Sequence, residues 1–326
     1  MQRKTLIKWI GVPLMVIVFL LTISLLVFVP FAKQPGYDFV KAWGGMGQDV
    51  GQFNDPTGIA IANGEVFIAD SRNGRIQVFD FDGNFKREFG HTGDAFGQLG
   101  RPMNLSIHDG ELFVPEYFND RIQVFSLDGS PRRIIGQAGA GPGQFNAPGG
   151  VAVAPKGDLF VADFYNQRIQ HLQADGKFIE QWGTTGKVGI RAGEFNYPTD
   201  VAVSADSTLY AADGYNDRVQ AFSGDGQFLS KWGGPFAINI KGPFNGWFTT
   251  VSSIAIGPGG NVFVTDFYNN RIQKFSPDGT FLSSFGVKGD GQGQFDRPLG
   301  VAVAADGTVF VTDFGNNRIQ KWRPHQ

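Results

Sequence analysis

Six acidic residues recur along the chain: Asp70, Glu116, Asp163, Asp213, Asp266 and Asp313, spaced by 46, 47, 50, 53 and 47 residues. Each is followed at +3 by Asn, at +5 by Arg and at +7 by Gln, as in Asp163, Asn166, Arg168 and Gln170. A ring of carboxylates suggests metal chemistry. A residue present in every unit, however, serves what every unit needs. Each acid is expected to accept backbone N–H groups across its turn and to pair with the Arg of its own unit, as Asp163 with Arg168. The Asn is expected to take the left-handed position of the turn.

Chemistry of another kind is expected where the units disagree. The heads of the innermost strands read Gly58, Asn104, Gly150, Asp200, Ser253 and Gly300. Asn104 and Asp200, with the unusual Glu116, offer oxygen ligands to Ca²⁺ or another divalent cation. The structural alternative is that Asp200 caps its own turn, Asn104 fills a strained position and Glu116 replaces the repeated Asp. After each acid come Ser71-Arg72, Tyr117-Phe118, Phe164-Tyr165, Gly214-Tyr215, Phe267-Tyr268 and Phe314-Gly315. Tyr117, Tyr165, Tyr215 and Tyr268 are expected to point outward as flat, polar-tipped contacts, and the Phe members to pack sideways. Arg72 takes the place of an aromatic in the first loop. Trp247 lies on the longest loop, residues 233–252, beside Phe236, Phe244 and Phe248; Phe244 matches the repeated plug described below. These six residues, Tyr117, Tyr165, Tyr215, Tyr268, Trp247 and Arg72, are the candidate ligand-binding set.

Nucleophilic and metal catalysis find little support. The chain has no cysteine and four histidines, none at metal-ligand spacing. No glycine-rich phosphate loop is legible, because the glycines belong to β turns. A net charge of −2 with no basic stripe argues against nucleic acid. No organic cofactor is expected.

The elements that would position these residues are short strands. Apolar runs such as GIAIA from Gly58 and GVAVA from Gly150 suit strands buried on both faces. The second and third strands flank the acidic turn. The fourth follows an Asp-Gly hairpin turn, as in DGKFIEQWG from Asp175. Phe53, Phe145 and Phe295 in a repeated G-Q-F-x-x-P approach are expected to plug between units. The sixth unit lacks a fourth strand, and Phe39 to Gly44 carries the missing pattern near the other end of the chain. The expected fold is therefore all-β: a six-bladed β-propeller of four-stranded antiparallel blades, closed by its N-terminal strand.

Ahead of it, Trp9 to Ala32 contains no charged residue, long enough to cross a bilayer. Arg3, Lys4 and Lys8 precede it, which places the N-terminus in the cytoplasm. The expected organisation is a cytoplasmic N-terminus (1–8), one transmembrane signal anchor (9–32), a linker (33–36) and the propeller (37–326). Cleavage as a signal peptide is the alternative, with only Ala32 near a cleavage position. The short linker would hold the propeller close to the bilayer, in a periplasm or outside the cell.

The repeated D-x-x-N-x-R-I-Q core resembles the NHL repeat family, in its membrane-anchored bacterial type. The resemblance implies a propeller scaffold and leaves its task open, since such propellers include protein-binding sensors, RNA binders and a metal-dependent amidating lyase. The favoured expectation is a binding module for a protein or cell-envelope polymer at the channel-mouth face. The alternative is a divalent-cation-dependent lactonase- or lyase-like enzyme.

Overall fold

The computed structural model describes residues 28–325. Of the expected transmembrane anchor at residues 9–32, residues 9–27 lie outside them, and among the described residues no helix is long and apolar enough to cross a membrane. Six four-stranded antiparallel sheets surround a central channel. The blades are numbered here by the order of their innermost strands: Pro56–Ala62, Ser106–His108, Pro148–Val153, Pro198–Val203, Val251–Ile256 and Pro298–Val303. Blade 6 is closed as the sequence implied. Tyr37–Gly44 pairs antiparallel with Arg318–Pro324, with Phe39 opposite Trp322 and Trp43 opposite Ile319. Closure satisfies the edge that the sixth blade would otherwise expose.

The core lies between blades. Phe53, Phe145, Phe195, Phe248 and Phe295 are fully buried, and Leu99 takes the same place ahead of blade 2. Phe53 packs with Phe79 of blade 1 and with Phe310 and Ile319 of blade 6. In the long loop the plug is Phe248, not the expected Phe244, which is exposed. The local sequence G-W-F aligns with G-Q-F, so the spacing from the acid decides the role.

The repeated polar residues clamp each approach loop onto its blade. In blade 3 the Asp163 carboxylate accepts from Asn146 N, Asn166 Nδ2 and Arg168 Nε at 2.8, 2.9 and 2.8 Å. Arg168 also donates to the carbonyls of Gly141 and Gln144, and Gln170 to that of Gln144. Glu116 makes the same network in blade 2, accepting from Gly100 N, Asn119, Arg121 and Gln123. Buried charge is tolerated because both carboxylate oxygens meet donors, Arg168 among them. The turn expectation shifts by one residue. The left-handed positions are Gly74, Asp120, Gln167, Asp217, Asn270 and Asn317, each just after the repeated Asn. The Asn is instead spent on the clamp, as Asn166 Nδ2 donates to Gly139 O.

Candidate functional site: the channel mouth and its aromatic rim

The channel is lined by the aliphatic faces of the innermost strands, among them Ile59, Val151, Val201 and Val301, around a space of about 260 Å³. Four polar residues interrupt this lining, Asn104, Ser106, Asp200 and Ser253. Glu116 does not line it, and its carboxylate is taken up by the blade 2 clamp. The structure thus brings two of the three oxygen-ligand candidates to the channel and holds the third apart. Among the described residues, no three His, Cys, Asp or Glu side chains gather as they would to hold a metal.

Asp200 does more than cap its own turn. Its carboxylate accepts from Ser253 Oγ at 2.8 Å and Ile254 N at 3.0 Å, both in blade 5. Burial pushes its pKa up to about 7, against these bonds and one from Val201 N. On its other side Asp200 occupies space that Gly150 leaves free, since a Cβ on Gly150 would lie 2.0 Å from Asp200 Oδ1. Gly58 makes room for Met103 and Asn104 in the same way. Asn104 and Asp200 thus each lean into the space left by the glycine head of the preceding blade. Further bonds close a collar around the mouth: Thr57 Oγ1 to Pro102 O, Thr199 Oγ1 to Val251 O, Ser252 Oγ to Leu299 O and Thr312 Oγ1 to Thr57 O. Asn104 reaches across from blade 2 to Ser252 O of blade 5, while its Oδ1 is buried with no partner.

Above the collar lies an apolar cup of about 130 Å³, walled by Tyr117 and Phe164 and floored by Met103, Asn104, Thr199, Ser252 and Leu299. Its wall continues outward as one aromatic arc. Tyr117 meets Phe118 and Tyr165, Phe164 meets Tyr197, and Tyr197 meets Tyr215, with ring centroids 4.9–5.9 Å apart. The Tyr117 and Tyr165 hydroxyls are 2.6 Å apart. Burial, then that hydrogen bond, pushes the Tyr117 phenol up, and burial does the same for Tyr215. Both therefore stay neutral at physiological pH. Tyr268 joins Tyr215 in a pocket with Asp217, Asn239 and Lys241.

The sequence divided the rim by residue type, and the structure divides it by position. The first residue after the acid is buried or half-buried in every blade and the second is exposed in blades 1 to 5, so in blade 2 it is Tyr117 that packs and Phe118 that stands out. Sequence reasoning missed Tyr197 and Arg101. Both occupy the position before the proline of the approach motif. That position is left-handed in all six blades: Asp55, Arg101, Ala147, Tyr197, Thr250 and Arg297. In five of the six blades this position is marked in the sequence by the proline that follows it. Arg101 stacks over Phe118 and Arg297 over Phe314. Arg72 and Arg101 both approach Asp55 and Arg297 pairs with Asp296, so blades 6, 1 and 2 set three guanidiniums against two carboxylates beside the aromatic arc. Trp247 lies apart from both, its Nε1 donating to Phe28 O at 2.6 Å.

The histidines stay out of the channel. His171 stacks on Phe160, His91 bonds Gln98, His108 lies by Asp109 and His325 by Asp38.

Residues 53–79, 145–172, 248–275 and 295–322 match the NHL repeat, each segment running from a plug to the end of a third strand. Four of the six blades, 1, 3, 5 and 6, thus carry a sequence that matches this repeat. The repeat is most degraded in blade 2, where Leu99 replaces the plug Phe and Pro115-Glu116 the usual pair. The B-box type zinc finger protein ncl-1 of Caenorhabditis elegans is 47% identical over 45 residues, which are 14% of this chain and 5% of that protein. The match thus spans about a twentieth of that relative's length. Among solved structures, a protein of unknown function from Bacteroides thetaiotaomicron superposes with a TM-score of 0.67 at 17% identity, over 89% of this chain and 76% of that one. Virginiamycin B lyase from Staphylococcus aureus gives 0.58 at 16%, over 88% and 100%. The WD40 propeller domain of Doa1 gives 0.62 at 14%, over 90% and 98%. At these identities the likeness is one of fold.

Proposed function

We propose that this NHL-repeat propeller is a membrane-anchored, extracytoplasmic binding module that holds a protein or cell-envelope polymer at the channel-mouth face. The N-terminus lies in the cytoplasm and the propeller in the periplasm or outside. The observation that carries the reading is the continuous arc of Phe118, Tyr117, Phe164, Tyr165, Tyr197 and Tyr215. The repeated clamp does not use it, and Tyr165 and Tyr215 are about half exposed. Rigid aromatic rings with polar tips give large contact area at small entropic cost. The neighbouring arginines favour a ligand with anionic groups beside an apolar or sugar-like body. A photo-crosslinker placed at Tyr215 of the full chain in its membrane should give one discrete adduct. Tyr165→Ala should abolish that adduct, and a crosslinker at Asp225, in the turn before a fourth strand, should not give it. Equal labelling from both positions would remove the rim from the proposal.

The second reading, a divalent-cation-dependent lactonase- or lyase-like enzyme, is supported by Asn104 and Asp200 sharing the channel. It requires Ca²⁺ to raise the melting temperature in a way that Asp200→Ala removes. Calcium without effect at millimolar levels would set it aside.

A further inference from the structure

The long loop before blade 5 does something that no other approach loop does: it holds the start of the described chain. Trp247 Nε1 donates to Phe28 O, Asn245 Nδ2 donates to Pro30 O at 3.3 Å, and Phe236 meets Phe28 edge to face at 5.2 Å. Below them, Lys33 N and Gln34 N both donate to Leu282 O in the fourth strand of blade 5. Residues 28–32, expected to finish the apolar span, are thus laid against the propeller instead. The uncharged run that remains, residues 9–27, is 19 residues, or about 28 Å at a helical rise, still close to a hydrocarbon thickness.

Around this docking point the surface is apolar. Phe31 is 76% and Phe236 70% exposed, and Ile238, Ile240 and Phe244 are also exposed. Phe28, Pro30, Trp232, Phe236, Phe275 and Phe281 border an open groove of about 420 Å³. Phe236 is held at φ 60°, ψ 1°, and Ala237 and Asn239 are also left-handed. A bulky aromatic in that region is strained, and its ring lies outside the core, against Phe28.

We propose that this edge of the propeller, formed by residues 28–31 and the loop 234–244, seats in the interfacial zone of the bilayer. The proposal rests on the membrane-anchor reading. The occupant follows from continuity: the apolar run enters the described structure at Phe28, so whatever surrounds its end also meets Phe31, Phe236 and Phe244. Aromatic and aliphatic side chains at a polar–apolar boundary suit that zone. The same loop reaches the rim through Asn239 and Lys241. The seat would thus fix the blade 5 side of the disc at the membrane and set the tilt of the ligand-binding face.

The chain has no cysteine, which makes single-site labelling direct. An environment-sensitive fluorophore would be attached to Phe236→Cys, Leu20→Cys or Asp109→Cys in the full chain. Each protein would be placed in phosphatidylcholine–phosphatidylglycerol nanodiscs with lipid spin-labelled near the headgroup or along the acyl chain. The expected result is about two-fold quenching at 236 by the shallow label, quenching at 20 by the deep label and none at 109. Quenching at 20 without quenching at 236 would overturn the seat and leave the anchor standing. No quenching at 20 would remove the anchor reading and the seat with it. Equal quenching at 236 and 109 would show non-specific adsorption and overturn the seat.

Discussion

Asp200 sits at the head of the blade 4 innermost strand, 4% exposed, with its carboxylate between Gly150 on one side and Ser253 and Ile254 on the other. Burial holds its pKa at about 7 in the folded chain, against 3.8 for the unfolded group. A carboxyl whose pKa rises on folding contributes stability that is fully present below pH 3.8 and is lost as pH rises through about 7. At about 1.4 kcal/mol per unit, the ceiling of that loss is about 4 kcal/mol. Asp213 and Asp266, pushed up to about 6 by burial against the pull of Arg218 and Arg271, act in the same direction. Wild type alone would therefore not isolate Asp200. Asp200→Asn does, because the amide cannot ionise and its oxygen can still accept from Ile254 N. Its pH-independent cost is about 1 kcal/mol for one poorer hydrogen bond. Chemical denaturation of both proteins at pH 4, 6 and 8, followed by tryptophan fluorescence, would measure the difference. The variant should be less stable than wild type at pH 4 and more stable at pH 8, the gap moving by about 2–4 kcal/mol. A gap that stays within about 0.5 kcal/mol across that range would refute the buried, proton-holding state of Asp200.

Gly150→Ala tests the same contact from the other side. Its new Cβ must displace the Asp200 carboxylate, so a loss of about 1–3 kcal/mol is expected, and no loss would show that the collar yields freely. Arg218→Met leaves the buried Asp213 without its partner and should cost about 3–5 kcal/mol. Arg72→Ala, at the exposed rim, should cost less than about 1 kcal/mol, and equal losses would contradict the division between clamp and rim. Deleting residues 37–44 should open the edge of blade 6 and strip cover from Trp322, lowering the melting temperature sharply. A deletion that melts like the full chain would contradict closure.

The fold was legible because the repeat carries its own register. Each acid marks the end of a second strand, and the missing fourth strand of blade 6 could be found only at Phe39 to Gly44. The rim was half legible. The residues after each acid announced themselves by contrast between units, but which of the pair is exposed depends on blade twist, which a linear pattern does not carry. Tyr197 and Arg101 escaped because their position is set by a left-handed backbone, and that conformation is written in the spacing to proline more than in the residue itself. Glu116 read as an anomaly in a channel and proved to be one more clamp. An extra methylene still lets its carboxylate meet the same four donors, so residue type alone misled.

The clamp also explains why a binding face can vary on such a scaffold. In each blade the acid, Asn, Arg and Gln bond one another and the approach loop, so blade stability is settled by residues facing inward. The two residues after the acid, and the one before the proline, are tied to that network through backbone bonds such as Tyr117 N to Arg101 O. Their side chains can change from Arg72 to Tyr165 to Gly315 while the backbone path stays the same. Blade 2 shows the limit: with Leu99 for the plug and Glu116 for the acid, its innermost strand is cut to Ser106–His108. That shortening frees Asn104 to reach across the mouth to Ser252. The blade in which the repeat is weakest is therefore the one that shapes the floor of the cup, and Tyr117, on the same blade, forms its wall. A change of ligand in a related chain should show first in blade 2, ahead of the blades whose repeat is intact.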